Sequence, residues 1–344
     1  VVVILSENKK ILITGANGFI GSHLLKHFSE KNGYRTAGLV RKTSDLFRLS
    51  AGQFDLQYAA VNDPLDKIMK GCDVVVHTAA KASDWGNYDE HYRINVEGTL
   101  NVLKTAYECG VERFIYISST VVYGFGGHIN TNEDKTSRPF NNNYCITKTI
   151  AEQKVQEYTD RVRIIVLRPS NVYGPLDMKF TYPLLRSIYR GLFAFPDGGK
   201  NLTSPCYIKN IASAVERTIE TRNHFGEAYN ISDGNDMPWR LFLSLIAEEM
   251  GKKPPWFPVP SSILFFTATL MEKLFVLFKS QTPPLITPYR IAISSKDYSF
   301  SIEKSKKQLH FIPQYTTQEG IKETVGWYYE YSKRSTNTPP RVSP

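Results

Sequence analysis

The 344-residue chain is poor in cysteine. It holds four, Cys72, Cys109, Cys145 and Cys206, far apart and with no C-x-x-C pair. That excludes a disulfide scaffold and offers neither a zinc site nor a redox dithiol, so reduced thiols, a cytoplasmic setting and no metal are expected. Long apolar runs are lacking as well. One stretch, Ser261 to Lys279, approaches the roughly 20 residues that a span requires. Its apolar part, Ile263 to Phe278, is 16 residues and is broken by Glu272-Lys273. A polytopic membrane protein is therefore excluded. The opening VVVIL run has no basic leader and no small-residue cleavage site nearby, so it does not read as a signal peptide. There is no internal repeat and no low-complexity block. Acidic residues are outnumbered, 33 against 42 lysines and arginines, for a formal charge of +9. That surplus points to an anionic partner: nucleic acid, an acidic membrane surface or a phosphorylated ligand. Nucleic acid has no stacking platform or arginine run behind it and is not expected.

What the chain does have is apolar residues, 42%, and aromatics, 12%, enough for a sizeable core. Short continuous β-branched runs alternate with helical patterns. The strand-like runs are Lys10–Thr14, Thr36–Val40, Asp73–His77, Arg113–Ser118 and Arg163–Leu167. Helical spacing lies between them, as over 19–28, 95–109 and 144–158. Continuous rather than alternating strands, each followed by a helix, predict an α/β fold with a parallel sheet covered on both faces. After Pro175 the alternation fades and returns only at Cys206–Arg217 and Ala228–Ser232. The expected organisation is a nucleotide-binding domain over 9–175, rejoined by about 205–232. A smaller C-terminal lobe would span 176–204 and 233–330, with a frayed tail over 331–344. The WYYEY run at 327–331 is expected on a packed helix.

The first strand runs into Gly15-Ala16-Asn17-Gly18-Phe19-Ile20-Gly21, a G-x-x-G-x-x-G turn opening a helix. The glycines allow a tight turn, close approach of a pyrophosphate and close helix–strand packing, and the helix N-terminus offers free N–H groups to phosphate. The second strand ends in Arg41-Lys42-Thr43-Ser44, with no acid to hold a ribose 2′-hydroxyl. Two cations there suit a 2′-phosphate, so NADP(H) is favoured over NAD(H).

Tyr144-Cys145-Ile146-Thr147-Lys148 is Y-x-x-x-K, which on a helix puts both functional side chains on one face. A neighbouring ammonium favours the phenolate, so this tyrosine could exchange a proton with a substrate oxygen. Ser118-Ser119-Thr120 follows a strand at the sheet edge where ligands bind in open α/β folds, and a serine hydroxyl there can hold the substrate oxygen.

The ordered set TGANGFIG, HTAA, NVEGT, SSTVVYG, YCITK and RPSNVYGP resembles the extended short-chain dehydrogenase/reductases over roughly residues 10–330. The resemblance implies a doubly wound Rossmann sheet with a smaller C-terminal substrate-binding lobe. It implies Tyr144 as acid/base, Ser119 at the catalytic Ser/Thr position, and Lys148 on the nicotinamide ribose and tuning Tyr144. Asn95 would support the active-site hydrogen bonds. Gly15, Asn17, Gly18, Phe19, Ile20, Gly21, Ala79, Ala80, Lys81 and Ser118 would line the cofactor, with Pro169 and Val172 at the nicotinamide. Where many relatives have an aspartate near the adenine, this chain has Ala60, leaving a backbone contact from Val61.

Within that family, Ser119-Thr120-Val121 lacks the acid pair of the dehydratases. Thr203 stands where sugar-nucleotide enzymes carry a diphosphate-binding arginine. The run Tyr207-Ile208-Lys209-Asn210 resembles the 3β-hydroxysteroid and sterol-4-carboxylate dehydrogenase branch instead. The expectation is an NAD(P)-dependent oxidoreductase interconverting a secondary alcohol and a ketone on a hydrophobic, steroid-like or β-keto substrate. Trp85, Ser119, Thr120, Tyr144 and Asn171 are candidate substrate contacts; Trp85 fits equally a packed loop indole. His77 reads as a core histidine. The segment 261–279 is a core helix, a monotopic membrane helix or an apolar wall for the substrate. Peripheral membrane association and a homodimer are both compatible with it. The alternatives are a nucleotide-sugar epimerase and a non-catalytic redox-sensing module.

Overall fold

A computed structural model describes residues 8–191, 194–254 and 257–335. Its centre is a seven-stranded sheet. The strands are β1 (Lys9–Thr14), β2 (Tyr34–Val40), β3 (Asp55–Tyr58), β4 (Val74–His77), β5 (Arg113–Ile117), β6 (Arg163–Pro169) and β7 (Glu227–Ile231). They lie in the order β7-β6-β5-β4-β1-β2-β3 and every pairing is parallel. The order reverses at β1, whose Thr14 is opposite both Leu39 of β2 and His77 of β4. A crevice opens at such a switch point beyond the carboxyl ends of the strands.

The continuous apolar runs follow from burial of both faces. Side chains alternate across a strand. Ile11 and Ile13, Val74 and Val76, Ile115 and Ile117, and Ile165 and Leu167 enter one core. There they meet Leu24, Leu25 and Phe28 of the Phe19–Ser29 helix and Ile211 and Val215 of the Ile208–Glu220 helix. Leu12, Val75, Phe114, Tyr116, Ile164 and Val166 enter the other. That core holds Val102, Leu103 and Ala106 of the Gly98–Glu108 helix and Ala151 and Val155 of the Asn143–Gln156 helix.

Four elements differ from the sequence pattern. β3 escapes it because DLQY is a half-exposed edge strand with little apolar signal. The stretch 206–217 is two elements: Pro205–Tyr207 pairs in parallel with Asn171–Tyr173, and a helix then starts at Ile208. The helix expected from Asn95 begins earlier, at Tyr88, and passes through a π-turn at Arg93–Glu97. The Thr317–Ser335 helix runs five residues into the segment read as a tail. Its Trp327, Tyr328 and Tyr331 pack around Tyr182. Residues 336–344 lie outside the described ones.

Over the carboxyl edge sits a small sheet of Met237–Pro238, Leu202–Thr203, Tyr298–Phe300 and His128–Thr131, in that order. Under it Val122, Tyr123, Phe125, Cys145, Tyr298 and Phe300 form a third apolar cluster, against which Tyr144 and Tyr289 pack.

The glycine turn is the tightest point. Gly15 has φ +67°, and a Cβ added to Gly21 would lie 2.3 Å from the Gly15 carbonyl oxygen and 2.8 Å from Thr78 Oγ1. Gly21→Ala must displace backbone, at a cost of about 1–3 kcal/mol. Thermal unfolding should show a lowered midpoint for Gly21→Ala, with Gly126→Ala, which faces open space, close to the parent.

Candidate active site

The loop after β1 closes on itself through the Gly18 N–H to the Gly15 carbonyl, 2.8 Å, and onto β2 through the Ala16 N–H to the Leu39 carbonyl, 3.2 Å. Gly18 is the N-cap of the Phe19–Ser29 helix and supplies no side-chain cap. The first-turn N–H groups therefore face the crevice with the positive end of the helix dipole. Asn17 Nδ2 donates to the Asp45 carbonyl at 3.4 Å.

Thr14, His77 and Thr99 form a buried relay under the crevice floor. Thr14 Oγ1 is 2.7 Å from His77 Nδ1, and His77 Nε2 is 3.0 Å from Thr99 Oγ1. Burial, and then the Lys148 charge, push His77 down to about 3, so it is a neutral, fully bonded core residue. Past it, Thr78 Oγ1 donates to the Thr14 carbonyl and the Ala79 N–H to Thr14 Oγ1. This presents Ala79, Ala80 and Lys81 along the crevice wall. Asn95, brought inward by the π-turn, accepts from the Lys81 N–H at 2.7 Å and donates to Thr147 Oγ1 at 3.0 Å. It ties that wall to the helix carrying Tyr144.

Asn142 caps this helix, accepting from the Tyr144 N–H at 2.9 Å. Burial drives the Tyr144 hydroxyl's pKa well above that of a free phenol, and the nearby Ser119 opposes that rise only in part. Ser119 is itself an N-cap, its Oγ accepting from the Val121 N–H at 3.3 Å. Lys148 is buried one turn below Tyr144 and donates at 2.8 Å to both the Tyr116 hydroxyl and the Ile117 carbonyl. Its ammonium sits 4.2 Å from the Tyr116 ring centroid. In the free chain that ammonium is directed to Tyr116 and Ile117 rather than to Tyr144. Burial pushes Lys148 down to about 7, partly opposed by Glu152.

Beneath the serines lies a buried ion pair missed by the sequence reading. Arg168 Nη2 is 2.5 Å from Glu152 Oε1, and Ser118 Oγ donates to the other carboxylate oxygen. Arg168 Nη1 also donates to the Tyr123 hydroxyl at 2.5 Å, which in turn reaches Asn230 Oδ1 at 2.9 Å.

The remaining expected residues spread around this centre. Arg41 and Lys42 are exposed beyond β2. The Val61 carbonyl accepts from Asn101 Nδ2 at 2.8 Å, and its side chain packs on Gly98. Pro169 ends β6, and Val172 is half-buried on the short strand that follows it. Thr120 is buried, its hydroxyl already engaged 2.9 Å from the Tyr298 hydroxyl. Asn171 donates to Thr203 Oγ1 at 2.6 Å, and Thr203 is fully buried. Trp85 donates from Nε1 to the Ser280 carbonyl at 3.1 Å and meets the Phe275 ring edge-on. It joins the site loop to the C-terminal half. Asp84 reinforces that joint with Arg290 at 2.8 Å and Thr287 at 2.7 Å. Arg48, another residue the sequence did not single out, donates to the Leu176 carbonyl at 3.0 Å and the Asn17 carbonyl at 3.4 Å. Its signal was faint: one more cation seven residues after Arg41.

A family model described as the NAD dependent epimerase/dehydratase family matches residues 11–232. The chain belongs to this family. It is an enzyme of the extended short-chain dehydrogenase/reductase type. It is similar to a sterol-4-alpha-carboxylate 3-dehydrogenase, decarboxylating, of Mus musculus, 27% identical over 96% of this chain and 93% of that one. It is similar also to a 2-alkyl-3-oxoalkanoate reductase of Stenotrophomonas maltophilia, 28% identical over 91% of this chain and 97% of that one. Among solved structures, a UDP-glucuronic acid 4-epimerase from Bacillus cereus in complex with NAD shares the fold, with a TM-score of 0.75 at 22% identity, covering 94% and 99% of the two chains.

The family's nicotinamide dinucleotide fits this crevice. Gly15, Gly18 and Gly21 leave the floor without side chains, and the uncapped helix turn suits a pyrophosphate. Ser44 Oγ is buried and has no hydrogen-bond partner beside the Arg41–Ser44 turn. When bound, the dinucleotide would supply a hydride donor or acceptor at the end of the crevice that carries Ser119 and Tyr144.

The buried ammonium has a pH signature. Lys148 titrates at about 7 in the folded chain against 10.5 as the ordinary value. Between these the unfolded chain holds the extra proton, so stability rises with pH through that window. Unfolding midpoints of the parent should climb between pH 7 and about 9, and Lys148→Met should flatten the climb. An equal slope in both chains would contradict the assignment.

Proposed function

We propose that the protein is an NADP(H)-dependent oxidoreductase that interconverts a secondary alcohol and a ketone on a hydrophobic, steroid-like or β-keto substrate. The carrying observation is the wall around Tyr144. Tyr144 meets Tyr289 edge-on at 6.5 Å and packs with Phe140 and Phe265 against the third apolar cluster. The side chains packed there, Phe140, Phe265 and Tyr289, are apolar or aromatic, the neighbouring Arg290 is paired with Asp84, and Thr203, at the arginine position, is fully buried. The named activities of the sterol dehydrogenase and oxoalkanoate reductase relatives agree with such a substrate.

In the reducing direction the substrate carbonyl oxygen accepts from Ser119 Oγ and the Tyr144 hydroxyl. As hydride reaches the carbonyl carbon, the Tyr144 proton moves to that oxygen, completing the alcohol. The protonated Lys148 side chain stabilises the phenolate left behind, and the proton returns from solvent. Epimerisation of a nucleotide sugar would run this step first in the oxidising direction and then in reverse, and needs a diphosphate anchor. Tyr144→Phe should lower kcat by about 10²–10⁴-fold while dinucleotide affinity, read by fluorescence titration, stays within a factor of about two. Full turnover in that variant would sink the mechanism. Titration with UDP-hexoses separates the two substrate readings: weak binding supports the hydrophobic alcohol, and tight binding with internal return of the hydride supports the epimerase.

The NADP preference rests on Arg41 and Lys42, exposed at the end of β2 with no carboxylate at that strand end, and on Arg48 behind them. A charge-assisted bond contributes about 1.5–3 kcal/mol, or roughly 10–150-fold. Arg41→Ala with Lys42→Ala should raise KM for NADPH by at least about tenfold and leave KM for NADH nearly unchanged. Equal effects on both would overturn the preference.

A further inference from the structure

The Ser261–Leu277 helix has one buried residue, Ala268. Along its outer side Ile263, Phe266, Leu270, Leu274 and Leu277 recur at steps of three and four and are 43–72% exposed. At about 100° per residue these five form a stripe about 80° wide and roughly 21 Å long. Phe278 and Leu285 extend it and are exposed further still. Isolated exposed apolar side chains are ordinary, but a continuous stripe of this kind marks a contact surface. No helix among the described residues is long and apolar enough to cross a membrane.

Charge selects what covers the stripe. Residues 261–286 contain Lys273, Lys279 and a single acid, Glu272. Both lysines are exposed and Lys273 borders the stripe, whereas Glu272 is half-buried and burial raises its pKa. A second copy would set these lysines against themselves on a chain of charge +9. An anionic lipid surface would neutralise them while taking up the apolar stripe. We propose that this helix lies in the plane of an anionic bilayer and docks the protein on it peripherally. Its inner side reaches the site: Phe275 meets Trp85, and Phe265 packs beside Tyr144. The docking helix therefore also packs over the apolar cluster at Tyr144, and a lipid-soluble ketone need not cross water to reach it. Only that entry route rests on the proposed substrate class; docking is read without turnover.

The test is co-sedimentation of the full chain with phosphatidylcholine vesicles and with vesicles containing about a quarter phosphatidylglycerol. The expected result is at least about tenfold stronger binding to the anionic vesicles, weakened by about 0.5 M salt. Phe266→Asp with Leu270→Asp should lose that binding about tenfold or more while keeping the unfolding midpoint and dinucleotide affinity. Should that variant fail to fold, Lys273→Glu with Lys279→Glu, both exposed, should show the same loss. No sedimentation, equal binding to both vesicle types, or a solution dimer that these variants split without any vesicle binding would each overturn the proposal.

Discussion

The buried pair of Glu152 and Arg168 is the constraint on which the site depends. Glu152 stands one turn beyond Lys148 on the helix that carries Tyr144. Its carboxylate holds Arg168 from the end of β6 and Ser118 from just past β5. One ion pair thus fixes the rotation of the helix that carries Tyr144 relative to the two strand ends that deliver Ser119 and Pro169. Such a pair gives little net stability against a hydrophobic replacement, but losing one partner strands a buried charge and costs about 3–5 kcal/mol. Its value lies in geometry: it holds the helix of Tyr144 against the strand end that carries Ser118 and Ser119.

The rest of the centre is built in the same manner, from groups whose polar atoms are spent on one another. His77 is held between Thr14 and Thr99 and stacks on Tyr116 at 5.9 Å. Tyr116 in turn receives the Lys148 ammonium. Asn95 joins the Lys81 wall to Thr147 of the catalytic helix. Water is kept away by the apolar cover that the C-terminal half lowers over Tyr144. The consequence is an ammonium with a depressed pKa, held by Tyr116 and Ile117, and at Tyr144 a phenol with a raised one.

Much of this was legible in the sequence. The glycine turn, Ser119, Tyr144, Lys148 and Asn95 lie in short contiguous motifs at strand ends and helix starts, where local spacing implies placement. The parallel sheet was legible because burial on both faces removes the alternation that a one-sided strand would show. What was not legible depends on contacts between distant segments. Glu152 and Arg168 are separated by 16 residues and look like ordinary surface charges until the helix is docked on the sheet. Tyr289 reaches Tyr144 from the far half of the chain. Thr120 is adjacent to Ser119 yet turns inward to Tyr298, because the short helix it begins rotates it away. The segment 261–279 is apolar nearly all round, broken only by Glu272-Lys273, so its pattern left core, membrane and pocket wall open; only its packing shows which residues face out.

The most direct test of the central claim follows the hydride. Full-length protein, a reduced dinucleotide carrying deuterium at nicotinamide C4, and a panel of 3-ketosteroids and long-chain β-keto acids are incubated and the products analysed by mass spectrometry. The account predicts deuterium on the carbinol carbon of a hydrophobic product, in amount equal to dinucleotide oxidised. Deuterium that never leaves the dinucleotide pool, while an added UDP-hexose is epimerised, would contradict it.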